Sequence, residues 1–470
     1  MRRNYRRDTA LHSLANEFES MNKRGGQVYF EDRHLFQLIG FYENEYSFEK
    51  AMEVTDFALD QYQYRVDFYI IKIRLLMKFG EYEAALNLLE QAENISPGEW
   101  DLKLMKCRIF SKMKDYPSAL SFIRELRLLQ SNELDMIDLM LEEAFVYEKM
   151  KEFNQMYRVL REVLELRPDH PEALEHIWMS VEICKNYEES IALHESLLNK
   201  NPYTYQAWYN LGHAYSCTGD YNKAIAALEY SFIINPEFEF GYKDCADLCF
   251  QVKNYEKALD VYLEYLDIFG PESEVLISLG QCYISLLDYR EARKVLRKSS
   301  KLDPYSDEVY FYLGLCDLYQ KRYSAAVMNF LKAIKIEDRR EEYYAAIADA
   351  YNALEEYEKS DFYFRKATET GPEQADIWCN YAVFYLNLAE YKQALRILDE
   401  AEYYTCSPEL MYCRAALLIL DSRKEEGLAI LHDALADDIN AVKHLFQWVP
   451  QLRMDRDVMA IIDYVSKEEQ

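Results

Sequence analysis

Glycine and proline are scarce, at 13 and 11 of 470 residues. That scarcity excludes collagenous, linker-like and loop-dominated architectures and favours an all-helical chain with few tight turns. Histidine is thin, at eight residues, and the ten cysteines include no CxxC pair. Most cysteines fall in apolar helical stretches, where a thiol behaves as a small hydrophobe. Cys245 and Cys249 lie one helical turn apart but have no neighbouring His or second Cys pair to complete a metal shell. Gly25-Gly26 precedes no P-loop lysine, and neither HExxH nor GxSxG occurs. No catalytic residue, cofactor or metal is therefore expected. No apolar run is long enough for a membrane span or a signal-peptide core, so the expectation is a soluble cytoplasmic chain with reduced thiols.

Positive charge is outnumbered, 54 Lys and Arg facing 82 Asp and Glu for a formal net charge of -28. A field of that sign repels phosphate backbones, so direct nucleic-acid binding is not expected. Residues 1–160 hold 22 basic and 27 acidic side chains, whereas residues 161–470 hold 32 and 55. The first third is where an anionic ligand is best tolerated. Arg2, Arg3, Arg6 and Arg7 read as a solvated terminal arm.

Half of the residues are hydrophobic and the chain holds 41 Tyr and 23 Phe, ample material for an extended core. That material is periodic. Units starting at Asp32, Val66, Trp100, Ile137, Pro171, Tyr205, Glu239, Ser273, Asp307, Glu341 and Ala375 are 34 residues apart except for one spacing of 37. The three extra residues fall near Ser131 to Asp135 and predict a longer loop there. Each unit has one aromatic where a second helix should open: Phe48, Tyr82, Tyr116, Phe153, Tyr187, Tyr221, Tyr255, Tyr289, Tyr323, Tyr357 and Tyr391. Buried in the helix–helix turn, each ring would contribute about 2–3 kcal/mol. Three residues later stands Ala or Ser, with Met156 the one departure, and a small side chain there lets two helices approach closely. Pro97, Pro168, Pro202, Pro236, Pro304 and Pro372 share the column that ends a unit.

Trp208, Leu211, Gly212 and Tyr215, then Ala224 and Leu228, then Pro236 stand at the spacings of the tetratricopeptide repeat. The chain resembles that family. The resemblance implies an all-α fold, a right-handed α-α superhelix of about twelve helix-turn-helix repeats. On this reading residues 1–31 form a capping helix and arm, 32–407 eleven repeats, 408–438 a degenerate twelfth, and 439–470 capping helices. In that twelfth unit Glu425 stands where the aromatic should be, while Gly427, Leu431 and Ala434 keep the packing columns.

In this family the first helices of successive units line the inner surface and hold an extended peptide or a partner helix. Arg74 and Arg108 fall in one such column, with Lys78 and Lys112 one turn later, and these four are a candidate site for an anionic segment. Arg33 and Lys149 could extend it. Tyr209, Asn210, His213, Phe240, Lys243, Phe311 and Tyr312 are candidates for an aromatic and amide groove. The two-carboxylate clamp of Lys, Asn, Asn, Lys and Arg that marks one family subclass is not seen; Asn210 and Lys243 sit in columns of that kind, but Asp244 and Asp247 would repel a carboxylate beside them. The expected function is that of a non-enzymatic scaffold or adaptor docking a protein or peptide along the concave face. The alternative is a permanent subunit of a larger complex, and the sequence leaves the oligomeric state open.

Overall fold

A helix needs a start signal, a buried stripe and a stop, and each 34-residue unit supplies two sets of them. In the computed structural model, which describes residues 11–20, 29–129 and 132–468, first helices begin at ten of the eleven predicted unit starts. Every aromatic of the column from Phe48 to Tyr391 is the first residue of a second helix. The twelfth hairpin pairs Pro408–Leu420 with Lys424–Asp437. No strand occurs among the described residues. The arginine arm and Gly25-Gly26 lie outside them. The chain divides into two compact units, Met1–Asn235 and Pro236–Gln470, each a run of stacked helical hairpins.

The exception among the unit starts corrects the expectation of a longer loop. The first helix of that unit runs Glu133–Met150, 18 residues, so the insertion is taken up as added helix ahead of Ile137. Asn132 caps it, its side-chain oxygen accepting from Leu134 N–H at 3.2 Å, and Glu133 and Asp135 favour the positive end of the helix dipole.

Tight turns are more frequent than the glycine count suggests. A left-handed residue closes the turn inside each hairpin, and at ten positions, including Tyr46, Lys151, Leu287, Lys321 and Ala389, it is not glycine. Each such residue costs roughly 1–2 kcal/mol. The residue that follows donates back across the turn: Ser47 N–H to Tyr42 O at 2.8 Å, Asp288 N–H to Tyr283 O at 2.8 Å and Arg322 N–H to Asp317 O at 2.8 Å. These bonds satisfy carbonyls that the helix end would otherwise leave open and offset the cost of the left-handed residue.

The small column sits at the closest approach of the helices. Ala51, Ala85, Ala119, Ser190, Ala224, Ala258, Ala292, Ala326, Ser360 and Ala394 are all fully buried, and Met156 replaces them at 1% exposure. The aromatic column is less buried than expected. None of its eleven rings is fully enclosed, and Tyr221 and Tyr357 remain 42% and 43% exposed because each ring caps the turn from the outside. Tyr289, for example, stacks on Tyr319 at 5.1 Å. The expected burial energy is thus realised only in part.

The ends of the array are closed by apolar contacts. Residues 11–20 are helical, and Ala15 and Phe18 pack with Phe30, Leu35 and Leu38. After the twelfth hairpin, Leu445, Val449, Leu452 and Val458 bury against Tyr412, Leu431 and Leu435.

Two glycines inside first helices separate packing from propensity. A Cβ on Gly314 would come 2.4 Å from Phe330 Cε1, whose ring is fully buried, whereas a Cβ on Gly40 meets nothing within 4 Å. Gly40→Ala is expected to stabilise by up to about 1 kcal/mol, the helix-propensity difference. Gly314→Ala is expected to destabilise by roughly 1–3 kcal/mol through overpacking. Denaturant unfolding checks both, and equal effects at the two sites would contradict this packing.

Candidate protein-binding surfaces

The cationic column lies in the first unit. Arg74, on the helix Val66–Phe79, donates through Nη2 to Glu43 Oε1 and Oε2 at 2.9 and 3.0 Å. Arg108, on Trp100–Lys112, donates through Nε to Glu142 of the following hairpin. Burial pushes the Glu142 carboxyl pKa up, and the Arg108 charge opposes that shift. The Lys78 ammonium sits 3.6 Å from the centroid of Phe48, and Lys112 and Lys149 lie 6.0 and 4.6 Å from that of Phe145. Each of these four cations already has a carboxylate or aromatic partner. Arg74 and Arg108 keep about half of their side-chain surface exposed (54% and 51%) beside Glu43 and Glu142.

The aromatic and amide set is split between the two units. In the first, His213 lies between Trp178 (5.2 Å) and Tyr209 (4.5 Å, edge to face), all three partly exposed. Asn210 departs from the expectation of a groove residue. It is 3% exposed, and its amide donates to Leu174 O at 2.8 Å and to His194 Nε2 at 3.3 Å. The same imidazole is 2.7 Å from Ser190 O through Nδ1, which assigns the proton to Nδ1 and leaves Nε2 to accept. Burial holds the His194 pKa at about 4, so the ring is neutral and the network is satisfied only in that form.

In the second unit Phe240 is 62% exposed, while Lys243 is engaged by Glu239 (2.7 Å) and Glu272 (2.9 Å). Desolvation disfavours the Lys243 charge, but hydrogen bonds to those two carboxylates and to Tyr265 outweigh it and hold its pKa above the usual range. Phe311 is wedged between hairpins, 4.7 Å from Tyr343 and 5.8 Å from Phe330, and touches Tyr312 at 5.4 Å. Phe311 is thus mainly packing, and Tyr312 is partly exposed beside it.

Two features escaped the column reading. Tyrosine hydroxyls tie carboxylates together: Tyr265 to Glu239 and Glu272 at 2.9 and 2.7 Å, Tyr343 to Asp307 at 2.6 Å, and both Tyr381 and Tyr385 to Asp361 at 2.5 Å. The abundance of tyrosine and of acid is partly one fact. The second is the helix Tyr289–Leu302, whose solvent face is cationic within the acidic two-thirds of the chain. Among the described residues no three His, Cys, Asp or Glu side chains gather as a metal site. No described helix is long and apolar enough to cross a membrane.

Stacked two-helix units of near-constant length define a helical-repeat protein. Family models described as Tetratricopeptide repeat match residues 76–142, 205–238, 273–306 and 341–373, and those segments are tetratricopeptide repeats. It is 24% identical over 133 residues to Anaphase-promoting complex subunit 3 of Schizosaccharomyces pombe, covering 28% of this chain and 20% of that protein. It is 22% identical over 215 residues to BBSome complex member BBS4 of Bos taurus, covering 46% of this chain and 41% of that protein. The chain thus spans less than half the length of these curated relatives. Among solved structures, the APC/C hetero-tetramer Cut9-Hcn1 aligns over 95% of both chains at 14% identity and a TM-score of 0.39. A tetratricopeptide repeat protein from Parabacteroides merdae aligns over 52% of this chain and 98% of its own at 14% identity and a TM-score of 0.43.

The buried imidazole makes a pH prediction. His194 titrates at 6.5 in the unfolded chain and about 4 when folded, so the unfolded state binds the extra proton first and stability falls as pH drops from 6.5 toward 4. Between neutral pH and about 5 the loss should reach about 2 kcal/mol. Urea unfolding across that range should show this slope in the wild type and a flatter one in His194→Gln. Identical slopes would contradict the assignment.

Proposed function

We propose that the chain is a non-enzymatic protein-binding scaffold that docks a partner peptide or helix along the concave face formed by successive first helices. The observation that carries this reading is a division of labour within the hairpin. The second helices bury their small column completely, while one first-helix column of the first unit, Arg74, Arg108, Phe145, Met179 and His213, keeps its side chains partly exposed. That column changes along its length from cationic to apolar and aromatic. It suits a segment with acidic residues at one end and apolar residues at the other, held by many shallow contacts on a surface that is ordered in advance. The aromatic and amide set contributes within the first unit through Tyr209 and His213 rather than through Asn210, and within the second unit, separately, through Phe240 and Tyr312. Residues 1–31 and 439–470 act as caps on the repeats in this reading, and the ten cysteines, all thiols rather than disulfides, suit the cytoplasm.

A second reading, a permanent subunit of an assembly, draws on the names of the relatives, which are a complex subunit and a complex member. The adjacent Leu128 and Leu129, 88% and 74% exposed, offer such an assembly an apolar spot to cover. Light scattering after size exclusion separates the two readings, since a stable oligomer or a co-purifying complex supports assembly and a monomer that binds added peptide supports the adaptor.

Affinity capture with cross-linking tests the docking surface. Cross-links are expected on first helices between Val66 and Cys217. Reversing Arg74 and Arg108 together to Glu should weaken capture of an acidic partner roughly tenfold without unfolding the protein, the effect of two half-exposed charge contacts. Unchanged capture would remove the anionic part of the site. Cross-links confined to second helices would overturn the reading.

A further inference from the structure

The helix Tyr289–Leu302 stands apart from the rest of the chain. It carries Arg290, Arg293, Lys294, Arg297, Lys298 and Lys301 against a single carboxylate, Glu291, within a segment whose other residues are strongly acidic. These cations follow one another at three- and four-residue steps, so they share a face of the helix and repel along it. On the opposite face Ala292, Val295, Leu296 and Ser299 are buried.

Among the described residues two of the six cations have an ion pair, and Arg297 besides lies near enough to Asp317 to oppose the rise of its carboxyl pKa on burial. Arg293 is held from below: its Nε lies 3.2 Å from Asp317, a carboxylate with 2% of its side-chain surface exposed that also accepts from Asn329 Nδ2 at 3.0 Å. Lys294 pairs with Glu291 at 2.9 Å. The exposed side chains of Arg290, Arg297, Lys298 and Lys301 make no ion pair or hydrogen bond among the described residues. Together with Arg322 from the turn before the helix Tyr323–Ile336, the cations line an open cleft of about 350 Å³.

We propose that this cleft and helix face bind an acidic segment of a partner protein, a run of Asp and Glu about 20 Å long laid along the cations. The length follows from 14 helical residues at about 1.5 Å each. A protein segment fits better than nucleic acid or a membrane, because a long polyanion would run off this face onto a chain that carries -28 overall. The site lies on a second helix, outside the first-helix surface proposed above. It rests on the reading that the chain binds protein, and it adds a contact of defined chemistry.

Fluorescence anisotropy with a labelled oligoglutamate peptide tests it, with single-stranded RNA as competitor. The triple variant Arg290→Glu, Arg297→Glu, Lys298→Glu is expected to bind the peptide at least about tenfold more weakly, and added salt should weaken the wild type. The variant removes repulsion within the helix, so its thermal unfolding should be no worse than that of the wild type. A Gln triple variant gives the same readout if the reversed one does not fold. Arg74→Glu with Arg108→Glu should leave this binding unchanged. Failure of the peptide to bind, equal binding by the triple variant, loss of binding only in the Arg74 and Arg108 variant, or tighter binding of RNA than of peptide would each overturn the proposal. The first-helix docking surface is read by its own cross-links and can stand or fall separately.

Discussion

The fold depends on how closely two helices can approach within a hairpin. Ala or Ser at full burial occupies that point in ten of eleven units, and Leu228, Leu296 and Phe330 close over Gly212, Gly280 and Gly314 where first and second helices touch. A hairpin of this length cannot hide its apolar face alone, so each must pack on its neighbours, and stability becomes a sum of local terms along the chain. The same constraint assigns the surfaces. Residues at the closest approach are spent on packing, and partner contacts are left to the outward columns of both helices.

Charge follows a related economy. A chain of -28 would be expected to repel itself. Many carboxylates are instead tied to tyrosine hydroxyls or to arginines of an adjacent hairpin, as Asp361 is to Tyr381 and Tyr385, and Glu43 to Arg74. These ties span neighbouring repeats and fix their register. Cations that make no ion pair among the described residues are therefore informative, and Arg290, Arg297, Lys298 and Lys301 of Tyr289–Leu302 are the clearest instance.

Periodicity made the elements legible because sequence spacing and helix geometry repeat together: second helices open at the aromatic column from Phe48 to Tyr391. Features without a composition signature were not legible. The left-handed turn position is filled by Lys, Leu, Glu, Ala, Ser and Tyr as well as glycine, so scarcity of glycine says nothing about it. Added residues ahead of Ile137 look the same in sequence whether they form loop or helix. Asn210 stands in a first-helix column whose members run from exposed, as Gln37 and Asn380, to buried, as Met105 and Ala346, and bonds to Leu174 O and His194 hold it inside. The basic face is visible in REARKVLRKSSK but is hidden by the net charge of residues 161–470, which makes the first third look like the best place for an anion.

Local coupling between neighbouring hairpins is the claim that everything else uses. Ala326→Leu places bulk at a fully buried close approach in the hairpin Asp307–Ile336. Hydrogen exchange on that variant should show lost protection in its own hairpin and, more weakly, in the flanking ones, with residues 32–95 unchanged. Loss confined to the mutated hairpin, or uniform loss across both units, would contradict an array held together by neighbour contacts.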